Sequence, residues 1–355
     1  MAPTDRAEHQ RGVSPPGACT TRSSAHEVRF SIALLIHCSL RNVPRGTFQP
    51  TTKPQAECST WNIQPEEGKS KPASVSHHRA NVGHESMART IAIANQKGGV
   101  GKTTTAINLG ASLATADLRV LVVDLDPQGN CTSGFGIDKE ALEGSVYELL
   151  IGTGDPSVTA CPTELDSLQV LPSNRELIGA TIELLDGPSR EFRLQRALAS
   201  YQEHYDYILI DCPPALGILT VNALVAANSL LIPIQCEFFA LEGLSELMGT
   251  LHRIQQSLNP DLEIEGVLLT MHDERLNLCN QIRQDVRSHF GDQVFQTVVP
   301  RNVSLAESPG FGQPILLYDV RSKGADSYLE LAREILKKPL AQHSPHESLS
   351  IGLAS

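Results

Sequence analysis

From residue 89 onward the chain alternates between short apolar runs and longer amphipathic stretches. The runs TIAIAN (90–95), VLVVDL (120–125), LQVLP (168–172), YILID (207–211), SLLIPIQ (229–235) and IEGVLLT (264–270) are rich in β-branched residues and nearly free of polar positions. Strands read this way when both faces of their sheet are covered, because no position alternates toward water. Between and after them lie stretches of helical length: 102–115, 176–186, 190–201, 218–227, 241–258, 277–290 and a last one at 325–338, which stops before Pro339. The alternation predicts an α/β fold, a doubly wound and mostly parallel sheet with helices on both faces. No repeat and no Gly/Ser linker interrupts 87–338, so a single domain is the economical reading.

Residues 1–86 follow neither period and are rich in Pro, Ser, Thr, His and Arg. Such a segment cannot bury enough apolar surface to offset its ordering entropy. It is expected to be a disordered extension, or the product of a start codon upstream of Met87. Residues 339–355 read as a polar tail.

Composition narrows the class. A hydrophobic content of 41% and a charged content of 19% suit a protein with a sizeable core. Residues 1–86 carry 10 Lys+Arg and 7 Asp+Glu, a net of +3, which leaves −14 on 87–355 out of the chain's −11. An acidic body argues against nucleic-acid binding over the whole surface and leaves room for a local basic patch. The eight cysteines stand singly, with no C-x-x-C pair, as in a protein with reduced thiols in the cytosol. No apolar run approaches the roughly 18 residues that cross a bilayer, and FSIALLIHCSL (30–40) is too short and too deep for a signal peptide.

The chemistry gathers at KGGVGKTT (97–104), directly after the first strand. Gly98, Gly99 and Gly101 let backbone amides, with that of Val100, approach phosphate oxygens. The helix starting near Lys102 adds its N-terminal amides, including that of Thr104, and its positive dipole end. Lys102 would reach the β- and γ-phosphates and the Thr103 hydroxyl would ligate Mg²⁺. Two features depart from G-x-x-x-x-G-K-[ST]: Gln96 occupies the first glycine position, and a second lysine, Lys97, opens the loop. YILIDCPP ends in Asp211, the expected form of a strand-end carboxylate at a Mg²⁺ site. VVDLDPQGN offers Asp124 and Asp126, one of which can face the γ-phosphate and orient or deprotonate a water. Gln128, Gly129 and Asn130 then form a segment able to sense that phosphate.

These stretches, with VPRNVSLAESPGFGQP and YDVRSKGADSYLELAREIL, resemble the ParA/Soj chromosome-partitioning ATPases, members of the deviant P-loop group that also contains MinD. The resemblance runs from about Met87 to Lys338. It implies a weak, Mg²⁺-dependent ATPase that forms an ATP-bound sandwich homodimer. Lys97 resembles the signature lysine, which crosses to the phosphates of the other subunit's ATP. Lys102 keeps its phosphate role, and Asp126 resembles the residue needed for hydrolysis. Thr103, Asp126 and Asp211 are the implied Mg²⁺ residues, and Pro300, Arg301 and Asn302 fall where relatives line the adenine pocket.

The family's dimers bind DNA without sequence preference, and Arg275 and Arg301 are the DNA-contact candidates. Ser304 stands where many relatives carry a second arginine, a departure that lowers the expected affinity; Arg283, Arg287, Arg321 and Lys323 are available to compensate. The implied stimulator is a ParB-like centromere-binding partner, whose basic N-terminal segment suits an acidic body. The implied location is the cytoplasm, on the nucleoid. The alternative is a MinD-like or cargo-positioning ATPase that does not use DNA. A membrane partner is not expected, because the ending PLAQHSPHESLSIGLAS is no basic amphipathic helix. An iron–sulfur carrier is disfavoured by the scattered cysteines.

Overall fold

A computed structural model describes residues 87–338, except 186, 238 and 239. The expected extension at 1–86 and tail at 339–355 lie outside the described residues. Eight strands form one sheet in the order β3-β4-β2-β5-β1-β6-β7-β8. They are β1 (Arg89–Ile93), β2 (Val120–Asp124), β3 (Cys161–Pro162), β4 (Leu168–Leu171), β5 (Tyr207–Asp211), β6 (Ser229–Gln235), β7 (Glu263–His272) and β8 (Val294–Pro300). All neighbours pair in parallel except β3, which runs antiparallel to β4. The six predicted strands are all present. Two more were not evident in the sequence: β3, only two residues long, and β8, whose burial is broken by Gln296 and Thr297.

The helices that matter for the site and the cores are α1 (Lys102–Ala114), α2 (Asn130–Gly134), α3 (Val146–Ile151), α4 (Leu177–Glu183), α5 (Arg193–Leu198), α6 (Ile218–Ala226), α7 (Ala240–Ser257), α8 (Asn277–Phe290) and α9 (Lys323–Lys337). The predicted helix 190–201 is a 3₁₀ turn at Arg190–Phe192 followed by α5, and 176–186 shrinks to α4.

Two cores flank the sheet, and the central strands feed both by alternation. Ile91, Ile93, Val120, Val122 and Leu209 face one core with α1 and α9, while Ala92, Leu121, Val123, Ile208 and Ile210 face the other with α3 to α8. That double burial explains why these strands have few polar positions, and those lie at their ends. Helix α1 lies between the sheet and α9, so that only Thr103 and Thr104 of its 13 residues escape burial. Gly110 permits the close approach, since a Cβ there would sit 2.8 Å from Val122 Cγ2.

At the amino ends of the strands a buried ion pair fastens the sheet. Arg89 of β1 meets Glu265 of β7 at 2.6 Å, and Ser229 of β6 donates to the same carboxylate at 2.7 Å. Lys338, just past α9, lies 3.8 Å from Glu265 and 4.4 Å from the centroid of the Phe295 ring. Removing one member of a buried pair leaves the other charge uncompensated. Glu265→Ala is expected to cost about 3 kcal/mol in guanidinium unfolding, whereas a cost near zero would show that water reaches Arg89 readily.

Candidate nucleotide site

The site is built where β1 stops between β5 and β6. Chain direction places the crossover to β2 on one side of β1 and β6 on the other, the point at which open α/β sheets leave a crevice. The loop from Ala94 to Gly101 turns there through left-handed backbone at Gly99 (φ 75°) and Gly101 (φ 90°). A Cβ on Gly98 would meet nothing within 4 Å, so this side of the loop is open. Neighbouring strands fix its shape. Asn95 donates its amide to the Pro233 carbonyl at 2.7 Å and accepts from the Lys97 N–H at 3.0 Å. The Thr270 hydroxyl donates to the Val100 carbonyl at 2.8 Å. Helix α1 begins at Lys102, and its first free amides give the loop an anion-binding end.

The two lysines of the loop go to different places. Lys102 is buried, and its ammonium donates to the Lys97 carbonyl at 3.1 Å, curling back over the loop. Burial pulls its pKa down, and the nearby Asp211 and Asp126 charges oppose that shift. Lys97 is half-exposed and pairs with Glu237, just past β6, at 2.5 Å.

Register sets the carboxylates side by side: Asp124 of β2 is level with Asp211 of β5, which is level with Ile93 of β1. Both are fully buried. Asp124 is committed to the following turn, accepting from the Thr132 N–H at 2.8 Å, the Thr132 hydroxyl at 2.7 Å and the Asp126 N–H at 3.2 Å. Burial raises its pKa to about 6, against the pull of the Thr132 bonds. Asp211 is different, because neither carboxylate oxygen has a hydrogen-bond partner among the described residues. Burial, then the Asp124 charge, push it well above the usual carboxylate range; the Thr103 hydroxyl lies close by without reaching bonding geometry. An orphaned buried carboxylate beside a hydroxyl is a hard-oxygen donor set that suits Mg²⁺.

Asp126 sits one turn later and half-buried, near enough to Lys102 and Asp211 to act on their charges. Its carboxylate accepts from the Gln128 N–H at 2.9 Å, and its carbonyl accepts from the Ser173 hydroxyl at 2.8 Å. Gly129 closes the turn at φ 61°, where a Cβ would press on the Ser173 carbonyl at 2.8 Å. The i, i+2 pair therefore divides its work: Asp124 holds the turn and Asp126 borders the open site.

A family model described as an AAA domain matches residues 88–264. The chromosome partitioning protein ParA of Myxococcus xanthus is 54% identical over 264 residues, 74% of this chain and 93% of that protein. The sporulation initiation inhibitor protein Soj of Bacillus subtilis is 55% identical over 249 residues, 70% of this chain and 98% of that protein. The chain belongs to the ParA/Soj family of chromosome-partitioning ATPases. Among solved structures, cobyrinic acid a,c-diamide synthase from Mycobacterium smegmatis with bound ADP and magnesium is 40% identical, with a TM-score of 0.63 over 70% of this chain and 94% of that one.

The remaining candidate residues of this family member lie along the same rim. Pro300 ends β8, the third strand from β1, and is level with His272 of β7, whose carbonyl accepts from the Arg301 N–H at 3.1 Å. Asn302 caps the short helix Val303–Glu307 by accepting from the Leu305 N–H at 3.0 Å. Arg275 follows β7 with 88% of its side chain exposed and grips Asp273 through two contacts, at 2.6 and 2.9 Å. That pairing holds Asp273 at about 2. Arg301 is exposed on the adjacent strand end, and Ser304 donates to Asp319 at 3.1 Å. No helix among the described residues is long and apolar enough to cross a membrane.

Four supporting residues have no motif to announce them: Thr132, Ser173, Glu237 and Thr270. Thr132 donates its hydroxyl to Asp124 and accepts the Ser173 N–H at 2.9 Å, tying the ends of β2 and β4 together. Thr132→Val keeps the shape but strands a buried N–H. It is expected to cost about 2 kcal/mol in stability and to slow ATP hydrolysis, measured by thermal unfolding and phosphate release. Unchanged values in both would remove Thr132 from the turn's support.

Proposed function

We propose that this chain is an ATP-driven switch in DNA partitioning. Mg²⁺–ATP pairs two copies face to face, the pair adheres to DNA without sequence preference, and hydrolysis, stimulated by a ParB-like centromere-binding partner, releases it. The cytoplasm, on the nucleoid, is the location that fits this cycle. The divergence of the two loop lysines carries the reading. Lys102 is buried among Asp126, Asp211 and its own loop, so it serves its own nucleotide. Lys97 stands on the rim, where a second subunit's phosphates can reach it.

In this reading the amides of Gly98 to Thr104 and the Lys102 ammonium hold the triphosphate, while Pro300, Arg301 and Asn302 border the base. Thr103 and Asp211 would hold Mg²⁺, with Asp126 beside them, and the ion would supply charge neutralisation to the phosphates. Asp126 orients the attacking water or takes its proton. The Asp124–Thr132–Ser173 bonds keep Asp126 in place, which spares the reaction the entropy of ordering it. Arg275 and Arg301 give a local cationic rim on an acidic body, as backbone-directed DNA contact requires. The ion pair with Asp273 lowers what Arg275 can contribute.

Asp126→Ala is expected to lower ATP turnover by about 10²-fold or more while the ATP-bound dimer persists in sedimentation; turnover at the wild-type rate assigns the water to another group. ATP-dependent retention on DNA, followed across a salt series, tests the switch itself. Arg275→Ala should weaken binding on every sequence alike and reduce the salt slope by about 1. Absence of retention at low salt sinks the DNA reading and favours a protein-positioning ATPase.

A further inference from the structure

Lys97 is anchored by its backbone, while its side chain reaches out of the loop to an ion pair. Its N–H donates to Asn95 and its carbonyl accepts from Lys102, so the residue cannot leave its own loop. The side chain ends on Glu237, and the two are 34% and 46% exposed. Glu237 is itself held, because the other oxygen of its carboxylate accepts from the Gln235 amide at the end of β6. The Gln235–Glu237–Lys97 chain spans the gap between the end of β6 and the loop after β1, its neighbour in the sheet. Nothing in the nucleotide chemistry of a single subunit calls for this carboxylate. It offers one negative charge to a lysine whose proposed destination is a polyphosphate.

We propose that Glu237 is a positioning residue, an intramolecular latch that holds Lys97 within its own subunit until a partner's phosphates replace it. This rests on the cross-subunit role proposed above for Lys97. A half-exposed ion pair is weak, so the latch tunes the pairing threshold and does not block it. Triphosphate with its higher charge outcompetes one carboxylate at short range. Breaking one such pair shifts an equilibrium by about 2- to 5-fold. A two-fold dimer breaks two, so the association constant responds as the square of that factor.

The test uses the full chain and Glu237→Gln, which keeps an acceptor for Gln235 and removes the charge. Lys97 labelling by an amine-reactive ester, read by mass spectrometry without ATP, should rise several-fold in Glu237→Gln and return toward wild type in Glu237→Asp. Self-association with a non-hydrolysable ATP analogue, read by sedimentation, should tighten by about 4- to 25-fold. In a Lys97→Ala background the same substitution should change nothing. Unchanged Lys97 labelling overturns the latch whatever the dimer does. Raised labelling in a chain that never dimerises with the analogue leaves the ion pair real and overturns its role as a latch, together with the cross-subunit reading. Raised labelling with weaker dimerisation makes Glu237 a dimer contact and overturns the latch alone.

Discussion

The level alignment of β2, β5 and β1 at their carboxyl ends is the constraint on which the rest of the molecule depends. Parallel hydrogen bonding sets Asp124, Asp211 and Ile93 in one row, and the phosphate loop starts one residue beyond that row. A slip of one residue in any of the three strands would move its terminal side chain to the other face of the sheet. The register is strongly specified because both faces are buried, so every slip would also turn one core's side chains into the other. The precision of the site is thus inherited from the packing of two apolar cores.

Two buried carboxylates beside each other are costly, and the structure treats them differently. Asp124 is surrounded by three donors and becomes part of the scaffold. Asp211 has no such donor among the described residues, so hydrogen bonds there do not offset its burial. The same contrast separates the lysines: Lys102 is enclosed by acidic neighbours, while Lys97 is held by one carboxylate at the rim.

Support for the loop comes from the β6–β7 side through Pro233 and Thr270, and support for the Asp126 turn comes from β4 through Ser173. The end of β7 that carries Thr270 continues to His272, whose carbonyl accepts from the Arg301 N–H, so the phosphate loop and the rim with Arg301 share one strand end. Met271 lies between them at φ 50°, a left-handed conformation that a non-glycine residue adopts only when its surroundings impose it.

Much of this was legible in the amino-acid order. Six strands, seven helical stretches and the phosphate loop follow from apolar runs, periodicity and glycine placement, because local propensity and two-sided burial leave few alternatives. Asp211 and the Asp124/Asp126 pair were readable as strand-end acids. The edge strand β3 and the partly polar β8 were not, since a short or half-exposed strand carries no distinctive pattern. The sequence by itself therefore determined the fold class and the family, and named the candidate residues of the site. Only the tertiary structure decided which aspartate is scaffold and which borders the site, that Thr132, Ser173 and Thr270 brace it, and that Glu237 holds Lys97. Those choices depend on contacts between residues up to 170 positions apart, which pattern along a chain does not encode.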